Sequence, residues 1–269
     1  MGIRHVVFLP LTLAAPALAG CATATSEDPA ANANAAAPTS GSDAVEEAGP
    51  ARPEAPGVAR LHPPLATYVR AQVLPGVTAL AEERRYELDK IARYLRQELT
   101  DDAPARLTFI CTHNSRRSHL SQLWASAAAV WFGVEGLETY SGGTEATAFN
   151  PRAVAALERA GFAIDRPAQS TDNPRYAVRM GPELPPAIAF SKVYDEAPNP
   201  SEDFAAIMTC SAADASCPFI PGAELRVGIP YEDPKAADGT PEEAATYDAR
   251  SRQIATEMFY VLSHVSGAS

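Results

Sequence analysis

The sequence contains only four cysteines, shows no cluster of lysine and arginine, and has no apolar run of about 18 residues or more. Its formal net charge is -11 over 269 residues. Proteins that bind nucleic acid usually present clustered basic side chains to the phosphates. The excess of acidic over basic residues therefore argues against nucleic acid as a partner. The lack of a long apolar run means that no transmembrane helix is predicted.

Residues 22–60 also lack Leu, Ile and every aromatic residue. Such a segment cannot bury enough apolar surface to offset the entropy lost on ordering, so we predict a disordered tether. Leu61 is the first large apolar residue after it. The tether would separate the N-terminus from a folded region that starts near that residue.

The N-terminus itself is typical of a secretory signal, because Arg4 and His5 precede the apolar run VVFLPLTLAAPALAGC at residues 6–21. The last four letters resemble a bacterial lipobox. That resemblance implies removal of the leader, residues 1–21, in front of Cys21, which would carry the lipid. The chain would then be an exported, membrane-anchored lipoprotein facing the periplasm. The alternative is an ordinary signal peptide with an incidental cysteine.

Three cysteines remain once Cys21 is assigned to lipid, and an odd number in an exported protein leaves one thiol unpaired. Cys210 and Cys217 are close enough in sequence to form a disulfide, which an oxidising compartment permits. On that reasoning Cys111 is the free thiol.

Strand and helix patterns alternate from residue 106 onward, which predicts an α/β sandwich of three layers with a mostly parallel central sheet. We predict an N-terminal helical extension at 61–105, with one helix at 77–97 that packs on the outside of the domain or binds a partner. The main domain is predicted at 106–267. Its strands are expected at 106–110, 137–141, 187–192, 205–210 and 223–230, and its helices at 118–132, 150–160 and 241–264.

The stretch FICTHNSRRSHL, residues 109–120, holds the chemistry at the end of the first predicted strand. A strand–loop–helix turn of this length directs backbone N–H groups inward, and the helix N-terminus adds further donors and positive potential. A thiol at Cys111 would be stabilised there as thiolate. Arg117 would present a planar fork to two oxygens of a tetrahedral oxyanion, and Ser118 would donate a hydrogen bond to the thiolate.

This stretch resembles the signature loop of the low-molecular-weight protein tyrosine phosphatases and the related thioredoxin-coupled arsenate reductases, which read roughly C-x-G-N-x-C-R-S. The resemblance continues through SGGTEATAFNPRAVAALERAGF, MTCSAADASCPFIPGAE and YEDPKAADGTPEE. It covers most of residues 107–265, with an apparent insertion at about 166–197. It implies the phosphotyrosine phosphatase I-like fold.

The resemblance also implies residue roles. Cys111 matches the nucleophile, and Arg117 matches the arginine that binds the oxyanion. Asn114 matches the asparagine that supports the strained loop backbone, and Ser118 matches the serine that stabilises the thiolate. Asp233 matches the general acid that protonates the leaving group, a role that a poor leaving group requires.

The remaining loop residues are assigned to oxyanion binding and loop support: Thr112, His113, Ser115 and Arg116. Two of them depart from the family pattern, because His113 replaces a glycine and Arg116 replaces a second cysteine. Both add cationic or titratable groups at the anion site. Metal binding through Cys111, His113 and His119 would lack a fourth ligand nearby, so we predict neither a metal nor another cofactor.

Two branches of the superfamily compete as the function. The spacing of Cys210 and Cys217 matches the second and third thiols of the arsenate reductases, whereas an oxidising compartment without cytosolic thioredoxin disfavours reduction. We therefore expect hydrolysis of phosphomonoesters such as phosphotyrosine, through a cysteinyl-phosphate. Arsenate reduction by a relay of the three thiols is the alternative, and a thioredoxin-like reductant is a partner only in that case. A third hypothesis is a non-catalytic lipoprotein that binds phosphate or arsenate.

Overall fold

A computed structural model describes residues 55–99, 104–168 and 171–266, which belong to one compact unit spanning Arg52–Ser269. The predicted signal, the lipid site at Cys21 and residues 22–54 of the predicted tether lie outside the described residues. Within the described ranges, no helix is both long and apolar enough to cross a membrane.

In the described ranges, seven strands form two sheets. The strands are β1 (Ala105–Cys111), β2 (Leu137–Gly143), β3 (Ala163–Asp165), β4 (Tyr176–Arg179), β5 (Ala187–Ala189), β6 (Phe204–Met208) and β7 (Ala223–Gly228). The larger sheet has the order β2-β1-β6-β7, and all its pairs are parallel. The smaller sheet, β3-β4-β5, is antiparallel.

The part of the chain that the structure describes also contains seven α-helices. They are α1 (Pro63–Tyr68), α2 (Leu74–Val77), α3 (Glu82–Glu98), α4 (Arg117–Phe132), α5 (Pro151–Arg159), α6 (Ser211–Ser216) and α7 (Glu243–Ser263). A π-helical turn, Val69–Val73, joins α1 to α2. The predicted three-layer α/β sandwich with a mostly parallel sheet is thereby confirmed.

The central strand β1 explains the layering, because every residue in it except Arg106 is buried. Parallel strands covered on both faces are expected to be apolar throughout. On one face Leu107 and Phe109 join the main core with α4 and α7. On the other face Ile110 joins a smaller cluster beneath α6. The carboxyl end of β1 therefore emerges between two packed layers, which is where ligands bind in such sheets.

The predicted end of the tether at residue 60 is wrong. Gly57 N–H donates to the Trp131 carbonyl at 3.1 Å, and a short 3₁₀ helix, Val58–Arg60, follows with Val58 buried. The folded unit thus includes residues 55–60, because the apolar side chain of Val58 completes the core beside α4. Pro75 lies in the first turn of α2.

The insertion at about 166–197 contributes β4 and β5 to the smaller sheet. The segment predicted as a strand at 187–192 pairs there as Ala187–Ala189, and not in the parallel sheet. Phe190, Ser191 and Lys192 then run on to the loop that follows β1, where Lys192 N–H donates to Asn114 Oδ1 at 3.0 Å. The insertion is therefore part of the support of that loop.

Candidate active site

The loop after β1 holds Cys111 against the first turn of α4. Cys111 is buried, and its Sγ lies 3.1 Å from Ser118 Oγ. Ser118 is the second residue of α4 and is itself fully buried. The predicted strand–loop–helix turn therefore places the thiol at the helix N-terminus, where unpaired backbone N–H groups favour an anion.

Asn114 braces this loop. Its backbone adopts a left-handed conformation with φ of 44°, which asparagine tolerates better than most residues. Its Nδ2 donates to Ser118 Oγ at 2.9 Å, and its Oδ1 accepts the Lys192 N–H. The Asn114 side chain thus connects the loop both to α4 and to the insertion.

Gly143, at the end of β2, lets a second segment approach the loop. A Cβ atom at this position would lie 2.7 Å from Thr112 O and from Asn114 N. The close approach allows Thr144 N–H to donate to Cys111 O at 3.0 Å and Glu145 N–H to donate to Thr112 O at 2.9 Å. The glycines of the SGGT stretch were the sequence signal for this contact.

Arg117 and Asp233, predicted as the oxyanion-binding arginine and the general acid, form an ion pair. Arg117 Nη2 donates to Asp233 Oδ2 at 2.8 Å, and Arg117 Nη1 donates to the Tyr231 carbonyl at 2.9 Å. Asp233 caps the 3₁₀ helix Pro234–Ala237. One small cavity is lined by Cys111, His113, Ser115, Arg116, Arg117 and Asp233.

Arg116 contacts α7 as well as the segment that contains Asp233. Its Nε donates to the hydroxyl of Tyr247 at 3.0 Å, and that hydroxyl donates to Asp238 Oδ1 at 2.8 Å. Burial, and next the hydrogen bond to Asp238, raise the pKa of Tyr247 to about 12, so this hydroxyl keeps its proton. Arg116 Nη1 also lies 3.8 Å from Asp233 Oδ1.

His113 lies at the rim of the cavity. Its Nε2 is 2.9 Å from Glu145 Oε1, and both side chains are largely exposed. Its carbonyl accepts hydrogen bonds from the hydroxyls of Thr147 and Ser191 at 3.1 and 3.0 Å. The loop backbone is therefore held in place where the family pattern has a glycine. Ser115 supports the next segment through its carbonyl, which accepts the Asn150 N–H.

Cys210 and Cys217 are free thiols at the two ends of α6. Cys210 is buried, follows β6, and caps α6 by accepting the Ala213 N–H at 3.4 Å. Its Sγ lies 3.5 Å from the hydroxyl of Thr112, the residue after the nucleophile. The structure thus brings Cys210 to the nucleophile loop and leaves the alternative of a Cys210–Cys217 disulfide unmade.

Two buried bases lie close to the loop, His119, which the sequence suggested only as a possible metal ligand, and Lys192, to which the sequence gave no role at the site. His119 stacks on Phe149 with ring centroids 4.1 Å apart, and its Nδ1 is 3.1 Å from Ser141 Oγ. Burial, with a smaller effect of Lys192, holds the pKa of His119 well below its usual value. Burial, with Arg175 next, lowers the pKa of Lys192 to about 8. Over the described ranges, no three His, Cys, Asp or Glu side chains converge as a metal site requires.

Sequence comparison identifies the superfamily. The family model for low molecular weight phosphotyrosine protein phosphatases matches residues 106–178. An arsenate reductase of Halalkalibacterium halodurans is 31% identical over 135 residues, which are 50% of this chain and 78% of that protein. An arsenate reductase of Bacillus subtilis is 32% identical over 144 residues, which are 54% of this chain and 84% of that protein.

Solved structures with detectable similarity include a low-molecular-weight phosphotyrosine phosphatase from Vibrio cholerae, with 12% identity and a TM-score of 0.38 over 59% of this chain and 94% of that one. A thioredoxin-dependent arsenate reductase from Corynebacterium glutamicum has 18% identity and a TM-score of 0.32 over 72% of this chain and 82% of that one. The sequence matches establish that this chain belongs to the superfamily of low-molecular-weight phosphotyrosine phosphatases and arsenate reductases, and is an enzyme of one of these two kinds.

Proposed function

We propose that the protein hydrolyses phosphomonoesters, phosphotyrosine among them, through a cysteinyl-phosphate on Cys111. The observation that supports this function is the shared cavity of thiol, arginine and carboxylate, with Asp233 Oδ2 only 2.8 Å from Arg117 Nη2. Hydrolysis needs a nucleophile, a cation for the equatorial oxygens and a proton donor, and this cavity contains one of each.

The reaction follows from these positions. The Cys111 thiolate attacks phosphorus while the bond from phosphorus to the ester oxygen breaks, and Asp233 gives its proton to that oxygen. Arg117 and the loop N–H groups bind the three phosphoryl oxygens. Water then attacks the cysteinyl-phosphate, Asp233 takes up the proton, and phosphate leaves as the thiolate is restored. No change of oxidation state occurs, so no reductant is required.

Replacement of the nucleophile tests this function. We expect the wild-type protein to release p-nitrophenol from p-nitrophenyl phosphate and Cys111→Ser to lose this activity by at least a factor of about 1000, because serine is not deprotonated in its place. Phosphate binding, measured by calorimetry, should survive in Cys111→Ser. Binding of phosphate by the wild type without turnover of any aryl phosphate would instead favour a non-catalytic oxyanion-binding protein.

Arsenate reduction is the second candidate, and the position of Cys210 favours it. In this reaction Cys111 displaces water from arsenate, and Cys210 attacks the Cys111 sulfur to release arsenite and leave a Cys111–Cys210 disulfide. Arsenic gains the two electrons that the thiols lose. Cys217 then attacks Cys210, which frees Cys111 and leaves a disulfide for an external dithiol to reduce. The contact of Cys210 with Thr112, and the two related arsenate reductases, support this candidate.

A single substitution separates the two functions. We expect Cys210→Ser to hydrolyse p-nitrophenyl phosphate within about twofold of the wild type, because Cys210 takes no part in hydrolysis. The same variant should show no arsenate-dependent oxidation of a supplied thioredoxin. If the wild type oxidises thioredoxin with arsenate and hydrolyses no aryl phosphate, reduction is the function and hydrolysis is not.

We also propose that the chain is exported and carries a lipid on Cys21. The support is the sequence alone: an apolar leader that ends in Leu-Ala-Gly-Cys, followed by a segment poor in apolar residues. Labelled palmitate should be incorporated by the wild type in a bacterial host and not by Cys21→Ser. A cytoplasmic, unlabelled wild-type product would contradict both export and lipidation.

A further inference from the structure

Arg116 stands where the family pattern has a cysteine, and the structure gives it a different set of partners from Arg117. Its side chain is only 12% exposed. Its Nε donates to Tyr247, its Nη1 lies 3.8 Å from Asp233 Oδ1, and its Nη2 lies 3.9 Å from Asp238. These contacts orient Arg116 toward the segment that holds the acid.

The two oxygens of Asp233 are engaged differently. Oδ2 accepts the short hydrogen bond from Arg117 Nη2. Oδ1 accepts the Lys235 N–H at 3.0 Å and faces Arg116 Nη1. Asp233 Oδ2 is therefore bound by Arg117, which also has to bind the substrate. Asp233 Oδ1 is contacted by Lys235 N–H and Arg116, neither of which is needed to bind the substrate in the proposed reaction.

Substrate binding brings a second anion to Arg117, and the phosphoryl group then competes with Asp233 for the guanidinium. An arginine binds a tetrahedral oxyanion through two N–H groups of its planar fork, and here one terminal nitrogen is already paired with Asp233 and the other with Tyr231. When a phosphoryl group takes these donors, Asp233 Oδ2 loses its partner. This oxygen is then free to carry the proton for the leaving group.

We propose that Arg116 is the positioning residue that keeps Asp233 aimed at the leaving group once Arg117 has turned to the substrate. The inference rests on the proposed hydrolysis, in which Asp233 is the proton donor. Arg116 acts through Oδ1, while Oδ2 delivers the proton. It is suited to this task because Tyr247, buried on α7, fixes its Nε and does not release its own proton in the working pH range.

The test compares esters that need the acid to different extents. A p-nitrophenyl leaving group departs readily without a proton, whereas a phenyl leaving group requires one. We expect Arg116→Met to lower kcat/KM, which reports only the steps up to release of the leaving group, by about 10- to 100-fold for phenyl phosphate and by no more than about threefold for p-nitrophenyl phosphate. Arg116→Lys should restore part of the loss on phenyl phosphate.

A double-mutant cycle shows whether the effect passes through Asp233. Asp233→Asn should give the same preference in stronger form, and Arg116→Met with Asp233→Asn should be no slower on phenyl phosphate than Asp233→Asn alone. Arg159→Met is the matched control, because Arg159 forms an exposed ion pair with Asp248 on α7 and has no contact with the acid segment. It should leave both rates within about twofold. Circular dichroism and phosphate binding confirm that each variant folds.

The outcomes separate the two proposals. An equal loss on both esters, or additive losses in the double variant, would overturn the role of Arg116 and leave the proposed hydrolysis intact. A wild type that hydrolyses neither ester would overturn the hydrolysis, and with it the role of Arg116.

Discussion

At the scale of single residues, the hydrogen bonds around Ser118 define its role. Ser118 Oγ accepts a hydrogen bond from Asn114 Nδ2, so its own proton is free to point at Cys111 Sγ, 3.1 Å away. When Cys111 is a thiolate it has no proton to give, so in that state the hydroxyl is the donor of this hydrogen bond. A donor fixed in this direction by a fully buried asparagine stabilises a thiolate at little entropic cost.

Removing this donor should slow the reaction. A hydrogen bond to a charged group contributes about 1.5 to 3 kcal/mol, so we expect Ser118→Ala to lower kcat for p-nitrophenyl phosphate by about 10- to 100-fold. Alkylation of Cys111 by iodoacetamide at neutral pH should slow in parallel. Ser121→Ala is the control, because Ser121 is buried on the same helix and bonds only to the Arg117 carbonyl. Equal rates for Ser118→Ala and wild type would exclude the donor role.

The sequence was sufficient to predict the residues of the nucleophile loop, and the reason is that they are local. Cys111, Asn114, Arg117 and Ser118 lie within eight residues, so a strand–loop–helix turn brings them together in any chain that forms it. Lys192 reaches the same loop from 78 residues away along the chain. No periodicity or local spacing encodes such a contact, which only the tertiary fold creates.

At the scale of elements, the insertion at about 166–197 is the part of the fold whose strand pairing the sequence pattern did not predict. The segment predicted as a strand at 187–192 begins with the apolar run 187–190, and its length does not distinguish a strand of the parallel sheet from an antiparallel pairing. The structure uses Ala187–Ala189 for pairing with β4 and uses Ser191 and Lys192 to hold His113 and Asn114. The insertion therefore supports the nucleophile loop directly.

The buried amine of Lys192 makes the stability of this element depend on pH. Its pKa is about 8 in the folded protein against 10.5 for an unperturbed lysine, with burial as the main cause, then Arg175, while Glu196 acts in the opposite direction. Its neighbour His119 is held neutral. Between about pH 8 and 10.5 the unfolded chain binds more protons at this site than the folded chain. The contribution of Lys192 to stability therefore rises with pH across that window.

We expect Lys192→Met to remove this dependence. The free energy of unfolding of the wild type, relative to that of Lys192→Met, should increase by about 1 to 3 kcal/mol between pH 7 and pH 10.5. Urea denaturation at the two pH values measures it. Lys90→Met is the control, because Lys90 is a partly exposed residue paired with Glu87 on α3. The difference in free energy of unfolding between wild type and Lys90→Met should change by less than about 0.5 kcal/mol between the two pH values. A constant difference for Lys192→Met would show that the amine is not perturbed.

At the scale of the whole molecule, a series of contacts joins the N-terminal extension to Arg117 in the candidate site. Arg84 on α3 donates to Glu257 Oε2 on α7 at 2.7 Å, and the Tyr231 hydroxyl donates to the same oxygen at 2.7 Å. The Arg84 guanidinium also lies over the Tyr231 ring, 4.9 Å from its centroid. Tyr231 in turn offers its carbonyl to Arg117. The sequence predicted a helix that packs on the outside of the domain or binds a partner. It gave no sign of the contact between Arg84 and Glu257, because the two residues are 173 positions apart in the chain.

Breaking this connection should destabilise the protein strongly, since Glu257 would remain buried without its counter-charge. We expect Arg84→Met to reduce the free energy of unfolding by about 3 kcal/mol, and Arg84→Met with Glu257→Gln to recover part of that loss, because the double variant buries no unpaired carboxylate. Arg85→Met, at the exposed neighbouring position, should stay within about 0.5 kcal/mol. Urea denaturation at pH 7 measures all three. If the double variant were less stable than Arg84→Met, the loss would come from the packing of the arginine stem and the ring of Tyr231, and the buried charge would not be its cause.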